Sequence, residues 1–419
     1  MLSTVRRDSL ARNSVLIMAS TVGTAGLGYL YWLLAARQLA QPSIGTATAL
    51  ISISTVVSMV SNLGLGHMFI QRLPGTGPRE WSRIVSAGLL LGCGATAVVS
   101  FAACAVLPAL GGNFAFLRST SGVVALVTAS VALTATTLLD NVFVAHRASH
   151  GMFTRNLALA GGKLALLALL TWAGYGGAGV VLIAWTVPSL AVTAYTLASM
   201  LGRLQPGARL GGAGLGGELP HVRGAMSGHH LINLAQAGPT ALLPVLVTAR
   251  LGPEANGHFY VAWMTASVLF MVSPAVASAL YAERTNSAAA GLPRASAVVL
   301  TVTGLPALLL FFAGESILGL FSAGYAAQGA LLLKILVLAA LPDAITNLAV
   351  AHWRSLREFR RCLRLNLLMA TVCLTLTWLW LPGTGIEAAG LAWLLGQGTG
   401  AVVVALHFLT RRRKKACAG

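Results

Sequence analysis

The first residue in this sequence that invites chemistry is a lysine inside an apolar run, "RNLALAGGKLALLALL". Lys163 lies eight residues past Arg155, about 12 Å further along a helix. A compact ammonium at that depth either meets an anion or reaches back to the membrane surface along its own stem. Asp140 and Asn141 in "LDNVFVAHR", and Asp343 and Asn347 in "PDAITNLAV", form a second set. Asp343 and Asn347 are four residues apart and share a helical face. They suit a polar lining for hydroxyl groups, a proton or sodium site, or hydrogen bonds between helices. Arg147 or Lys163 is a fitting partner for Asp140. Asn62 in "SNLGLGH" and Asn233, with Gln236, in "INLAQAG" complete the candidate lining. His67, His229, His230 and His407 read as hydrogen-bonded structural residues, because the adjacent His229 and His230 face different ways and cannot share a metal on one helix.

These residues stand out because so little else is charged. Of 419 residues, 56% are hydrophobic and 9% charged, against about 25% charged in soluble domains. Runs such as Gln38–Gln71, Ile84–Leu117 and Leu164–Gly202 hold no Asp, Glu, Lys or Arg. Each exceeds the roughly 20 residues that span a bilayer as a helix. The fold class is therefore all-α and polytopic. Twelve spans are expected, at about 13–35, 46–70, 84–107, 121–144, 156–173, 178–201, 225–249, 257–281, 295–313, 331–352, 363–381 and 387–409. Trp32, Trp81, Trp263 and Trp353 fall near span ends and suit an interfacial aromatic belt.

The net charge of +18 is a topology signal rather than a nucleic-acid footprint. Of 28 basic residues, 23 lie on one side of the predicted spans, including both termini and the "RRRKK" tail. That bias places both termini in the cytoplasm of an inner-membrane protein, with the basic loops beside anionic lipid. Three arginines, Arg37, Arg118 and Arg250, lie on the other side.

Two of those exceptions match. "AARQLAQPSIG" at 35–45 aligns with "TARLGPEANG" at 248–257. Gly45 precedes Arg72 by 27 residues and Gly257 precedes Arg284 by 27. "NVFVAHR" parallels "NLAVAHWR", pairing Asn141 with Asn347. The chain thus reads as a six-helix lobe at 1–201, a Gly-rich cytoplasmic linker at 202–224, a second six-helix lobe at 225–410 and a basic tail at 411–419. An even span count gives both lobes the same direction, so a pseudo-two-fold along the membrane normal is expected, with substrate between the lobes. Arg37 and Arg250 then occupy equivalent helix ends, where a cation is favoured by the helix dipole and a gate role is open.

A first span ending in Ala36-Arg37-Gln38-Leu39, Gly45 soon after, and a second span ending in Arg72 resemble the polysaccharide-export, O-antigen flippase-like branch of the multidrug/oligosaccharidyl-lipid/polysaccharide exporter superfamily. The second half keeps a Gly-Pro-Glu at 252–254. The resemblance implies alternating access and movement of a polyprenyl-diphosphate-linked oligosaccharide to the outer leaflet. In that setting Lys163 pairs with the carrier diphosphate. A polysaccharide polymerase or glycosyltransferases are implied partners, and H+ or Na+ is the implied coupling ion. Two other readings compete. A drug/cation antiporter needs an acidic ion site in the first lobe, where Asp140 is the candidate. A non-transporting scaffold would use the arginine-rich loop at 354–364 and the tail.

An enzyme is not expected. Leu157 stands where a phosphate-binding loop needs Gly, and Leu164 where it needs Ser or Thr. "GGAGLGG" follows no strand, the five cysteines lack metal-type spacing, and no cofactor is implied.

Overall fold

The computed structural model describes residues 2–211, 230–286 and 292–416, with side chains outside 2–18, 110, 272–303, 355 and 411–416. The linker from 212, His229, Arg223 and the tail side chains lie outside that description. The chain divides into two compact units, Met1–His230 and Leu231–Gly419.

All the described secondary structure is helical. In the first unit the elements are α1 (Leu2–Gln38), α2 (Gln41–Ser61), α3 (Leu65–Arg72), α4 (Pro78–Leu110), α5 (Thr120–Ala145), α6 (Ser149–Trp172), α7 (Ala178–Tyr195) and α8 (Leu201–Leu204). In the second they are α9 (Leu231–Leu251), α10 (Pro253–Asn286), α11 (Leu292–Gly319), α12 (Ala323–Ser355), α13 (Phe359–Thr384) and α14 (Glu387–Ala416). The described residues of the twelve expected spans fall on these helices, and the start of the seventh, 225–229, lies outside the described residues. Among the described residues, nine helices are long and apolar enough to cross a membrane. The protein is an all-helical, multi-pass membrane protein.

The units repeat one pattern of helix pairing. In the first, α1 pairs with α6, α2 with α5, α4 with α5, α5 with α7 and α6 with α7. In the second, α9 pairs with α13, α10 with α12, α11 with α12, α12 with α14 and α13 with α14. The helix ends repeat too. Arg37 and Arg250 each lie in the last turn of their helix, and a proline, Pro42 or Pro253, opens the next. Proline suits a first turn because its missing N–H would have no partner there.

The second-half turn corrects the register of the repeat. The Ala148 N–H closes α5 on the Phe143 carbonyl at 2.9 Å, around a left-handed Arg147. The Glu358 N–H closes α12 on the Trp353 carbonyl at 2.9 Å, around a left-handed Arg357. Both are helix-ending motifs with one residue at positive φ. They align Phe143 with Trp353 and so place Asn141 opposite Ala351 rather than Asn347. The sequence match is one helical turn out, because identical short motifs do not report how many residues precede the cap.

Span two is broken. Leu63 and Gly64 adopt φ of 50° and 76°, so α3 starts afresh. Its residues Leu65 and Phe69 join Trp81, Ile84, Leu138 and Val142 in a core fully closed to solvent. The tryptophans depart from the belt expected of them. Trp32, Trp81, Trp263 and Trp353 are all buried inside their units. Trp81 shows why: its indole N–H donates to His146 Nε2 at 2.7 Å, so the polar end is satisfied by protein rather than headgroups.

Burial lowers the pKa of His146 below the usual histidine range. The unfolded chain therefore takes up the proton first as pH falls. Stability contributed here is complete above about pH 6.5, the ordinary histidine value, and declines as pH drops toward the folded pKa. Thermal melts in detergent should show that acid loss in the native protein and a flatter profile in His146→Gln, whose amide oxygen still accepts the indole N–H. At Gly64, a Cβ in the left-handed region costs about 1–2 kcal/mol. Gly64→Ala should lower the melting temperature, whereas Gly26→Ala, in a regular helix with nothing within 4 Å of the added carbon, should not.

Candidate functional site

Each charge in the first unit has its own arrangement. Asp140, near the end of α5, accepts a 2.7 Å charged hydrogen bond from Arg155 Nη1 on α6. The Arg155 side chain is wholly buried and that of Asp140 is 28% exposed. Arg155 Nη2 also donates to the Thr136 carbonyl at 3.3 Å. The partner of Asp140 is thus Arg155, neither Arg147 nor Lys163. Arg147 is exposed on the turn, and Arg155 returns one helix later at the same level.

Lys163 lies two turns beyond Arg155 on α6. Its Nζ sits 3.3 Å from the ring centroid of Trp185 on α7. Trp185 in turn stands edge-on to Tyr31 at 5.7 Å and tilted against Trp32 at 6.2 Å, both on α1. Tyr31 donates its hydroxyl to the Val181 carbonyl at 2.8 Å, which fixes the ring. Among the described residues no carboxylate pairs with Lys163. A desolvated cation over an indole face gains about 2 kcal/mol. Gly162 lets α6 approach α7 here, since an added Cβ would meet Pro188 Cβ at 3.2 Å.

Asn62 and Asn141 flank the break in span two. The Gly66 N–H points to Asn62 Oδ1 at 3.5 Å, and Asn141 Nδ2 donates to the Thr137 carbonyl at 2.8 Å. A Cβ on Gly66 would lie 2.7 Å from Asn141 Nδ2, so glycine makes room for the amide.

The second unit gathers its candidates. Asn347 Nδ2 donates to Asp343 Oδ2 at 2.9 Å, and its Oδ1 accepts from Gln236 Nε2 at 3.3 Å. Arg354 Nη2 donates to Gln236 Oε1 at 2.9 Å and to Asn233 Oδ1 at 3.2 Å. Asp343, Asn347 and Asn233 therefore belong to one chain of hydrogen bonds between α9 and α12, closed by Arg354. Thr346 adds a bond to Gln397 Oε1 on α14 at 2.9 Å. Of these groups Gln236, Asp343, Thr346, Asn347 and Gln397 border a cavity of about 240 Å³ that also meets Asn366 and Trp393. Pro239, on its wall, has no N–H to give the Ala235 carbonyl.

Arg155, Arg354, Trp185, Thr346, Asn366, Trp393 and Gln397 were not singled out from the sequence. In the sequence the arginines count toward the charge bias. The amides carried a usable signal, because Asn366 and Gln397 lie inside charge-free runs. Of the helix-end arginines, Arg250 covers the Trp378 ring at 4.6 Å, and Arg118 Nη2 donates to the Pro108 carbonyl at 3.1 Å. Arg37 remains in the last turn of α1.

No protein-family model and no curated protein matches this sequence. Solved structures do. The chain is similar to the lipid II flippase MurJ in an inward closed conformation, with TM-score 0.75, 11% identity, 94% of this chain and 87% of that one. It is similar to an inward-facing multidrug resistance MATE transporter, with TM-score 0.62, 16% identity, 93% of this chain and 94% of that one. The MATE transporter DinF-BH in complex with R6G follows, with TM-score 0.63, 15% identity, 97% of this chain and 96% of that one.

Breaking the buried ion pair from one side leaves a charge without its partner, a loss of about 3–5 kcal/mol. Asp140→Asn should therefore melt well below the native protein. Replacing both partners, in Asp140→Asn with Arg155→Met, should recover most of that loss. Equal melting of the single and double variants would remove the pair from the stability of the bundle. The protein carries the fold shared by MurJ and the MATE transporters of the MOP superfamily.

Proposed function

We propose that this protein moves a polyprenyl-diphosphate-linked oligosaccharide across the inner membrane, by alternating access of its two units, for surface polysaccharide synthesis. Both termini lie in the cytoplasm in this reading. The observation that carries it is the similarity to a lipid flippase across 94% of the chain at TM-score 0.75, against 0.62 and 0.63 for the two multidrug transporters. The polar groups support the same reading. An antiporter of drugs or cations needs an acidic ion site in the first unit, yet Asp140 is engaged by Arg155 at 2.7 Å.

Lys163 is the cation for the carrier diphosphate. Its ammonium rests on Trp185 with no carboxylate partner among the described residues. The four-carbon stem lets it leave the indole face for a phosphate oxygen, and a point charge tolerates reorientation of the diphosphate. Asp343 and Asn347 offer the polar seat of the second unit, for the glycan or for a coupling H+ or Na+. Asn62, Asn141 and Asn233 line or brace those seats, and Arg37 and Arg250 hold the ends of α1 and α9.

Purified protein in liposomes, given a fluorescent lipid-linked sugar, should move it between leaflets. Lys163→Ala should reduce that rate at least about tenfold, the worth of about 1.4 kcal/mol in the barrier, while inserting at native levels. Native rates in Lys163→Ala would remove the lysine from transport. Efflux of drugs without movement of the sugar would replace the flippase reading with the antiporter, and movement of neither would favour a scaffold.

A further inference from the structure

The indole of Trp185 occupies Lys163 when no anion is there, and that has a consequence for any anion that arrives. An ammonium carries three N–H donors. Among the described residues none of them meets an oxygen, and the Trp185 face is the partner the ammonium has. Arg155 Nε and Arg354 Nε also lack a hydrogen-bond partner, but both are closed to solvent. Lys163 Nζ is not closed: its residue is 9% exposed, and Trp185 beneath it is partly exposed. A ligand can therefore reach the pair without unpacking the helices.

The two sides of this contact are held with unequal firmness. Tyr31 stands edge-on to the Trp185 ring at 5.7 Å and Trp32 lies tilted against it at 6.2 Å. Both are buried, and Tyr31 is tied to the Val181 carbonyl, one turn before Trp185 on α7. The ammonium rests on the ring alone, at the end of a flexible four-carbon stem. When an anion arrives, the lysine moves and the indole stays.

Leaving the indole forfeits the cation–π attraction, and that loss falls on whatever ligand draws the ammonium away. The ring is thus a competitor built into the site. A ligand with one weak charge gains little over it. A diphosphate gains more, because it brings several acceptor oxygens and more than one negative charge. Competition of this kind weakens the bound state, and weaker binding is mostly faster release. A carrier that must let its cargo go gains turnover from it.

We infer that Trp185 is a positioning residue for Lys163, an internal competitor that holds the ammonium in the empty site, is displaced by a diphosphate ester, and so sets how readily that ester is released. The inference deepens the transport reading, on which it rests for the step that release serves.

Full-length protein labelled with 5-fluorotryptophan in nanodiscs tests it by 19F NMR, with farnesyl diphosphate and farnesol as probes. The chain has nine tryptophans, and the Trp185 resonance is the one missing from Trp185→Phe. Farnesyl diphosphate should shift it in the native protein toward the position it holds in Lys163→Ala, where the probe should have no effect. Farnesyl diphosphate should bind up to about thirtyfold more tightly in Trp185→Leu, the equivalent of about 2 kcal/mol of cation–π attraction. Trp185→Phe should gain less, because its ring still holds a cation, though more weakly. In liposomes carrying the fluorescent lipid-linked sugar, KM and kcat should both fall in Trp185→Leu, whereas KM should rise in Lys163→Ala. A ring that only packs α7 against α1 gives unchanged or weaker binding in Trp185→Leu, and that result overturns the inference. A Trp185 resonance silent to farnesyl diphosphate overturns it too, as does an equal shift from farnesol, which carries no charge. If Trp185→Leu fails to insert, Trp185→Phe carries the binding test at smaller amplitude. A protein that moves the lipid-linked sugar with a silent Trp185 keeps its transport role and loses the competitor. One whose Trp185 responds while no sugar moves keeps the competitor and loses the transport role.

Discussion

Inside a helix bundle surrounded by lipid, a polar group has only protein to answer it. That constraint shapes each polar feature described here. Arg155 cannot sit wholly buried on α6 without Asp140, and the pair in turn fixes α5 against α6. Lys163 has no carboxylate, so three aromatic rings from α1 and α7 converge on its surroundings, with Trp185 against the ammonium itself. Arg354 holds the side-chain oxygens of Asn233 and Gln236, and Gln236 passes the order on to Asn347 and Asp343. The polar groups specify which helices meet, while the apolar surface supplies only their tendency to enter the membrane.

The spans were legible because their signal is one-dimensional. A largely charge-free run longer than a bilayer is wide needs no knowledge of neighbours, and the described residues of the expected spans lie on helices, span two apart at its break. Arg37 and Arg250 were legible as helix ends for the same reason, since each is followed at once by a break and a proline. The break at Leu63–Gly64 was not, because its residues remain apolar while the backbone turns left-handed. The partners of Asp140 and Lys163 were not legible either. Arg155 and Trp185 lie on other helices, and the face a residue presents depends on how those helices rotate. By sequence alone Arg155 and Arg354 count as markers of membrane orientation. An arginine at a span end satisfies that rule and can also reach inward along its stem. The tryptophans failed similarly, since position near a span end does not separate a lipid-facing ring from one turned into the bundle.

The two units share a pairing pattern and differ in what they bury. In the first, among the described residues, charge within the bundle is closed locally: the Arg155–Asp140 pair, one cation on an indole, and amides answered by nearby backbone. In the second, Asp343 faces a cavity, and two donors on separate helices have no acceptor among the described residues. A shared scaffold tolerates this because pairing depends on small contacts repeated along the helices. Gly162 against Pro188 and Gly396 against the Met369 carbonyl are two such contacts, where an added Cβ would lie 3.2 and 3.0 Å from its neighbour. Polar side chains can then change between the units without moving the helices. The register supports this view. Once the turns after α5 and α12 are aligned, Asn347 stands opposite Thr137 rather than Asn141. The amide that organises the second unit's network therefore has no counterpart of its own kind in the first, and the similarity of the two units stops where their polar chemistry begins.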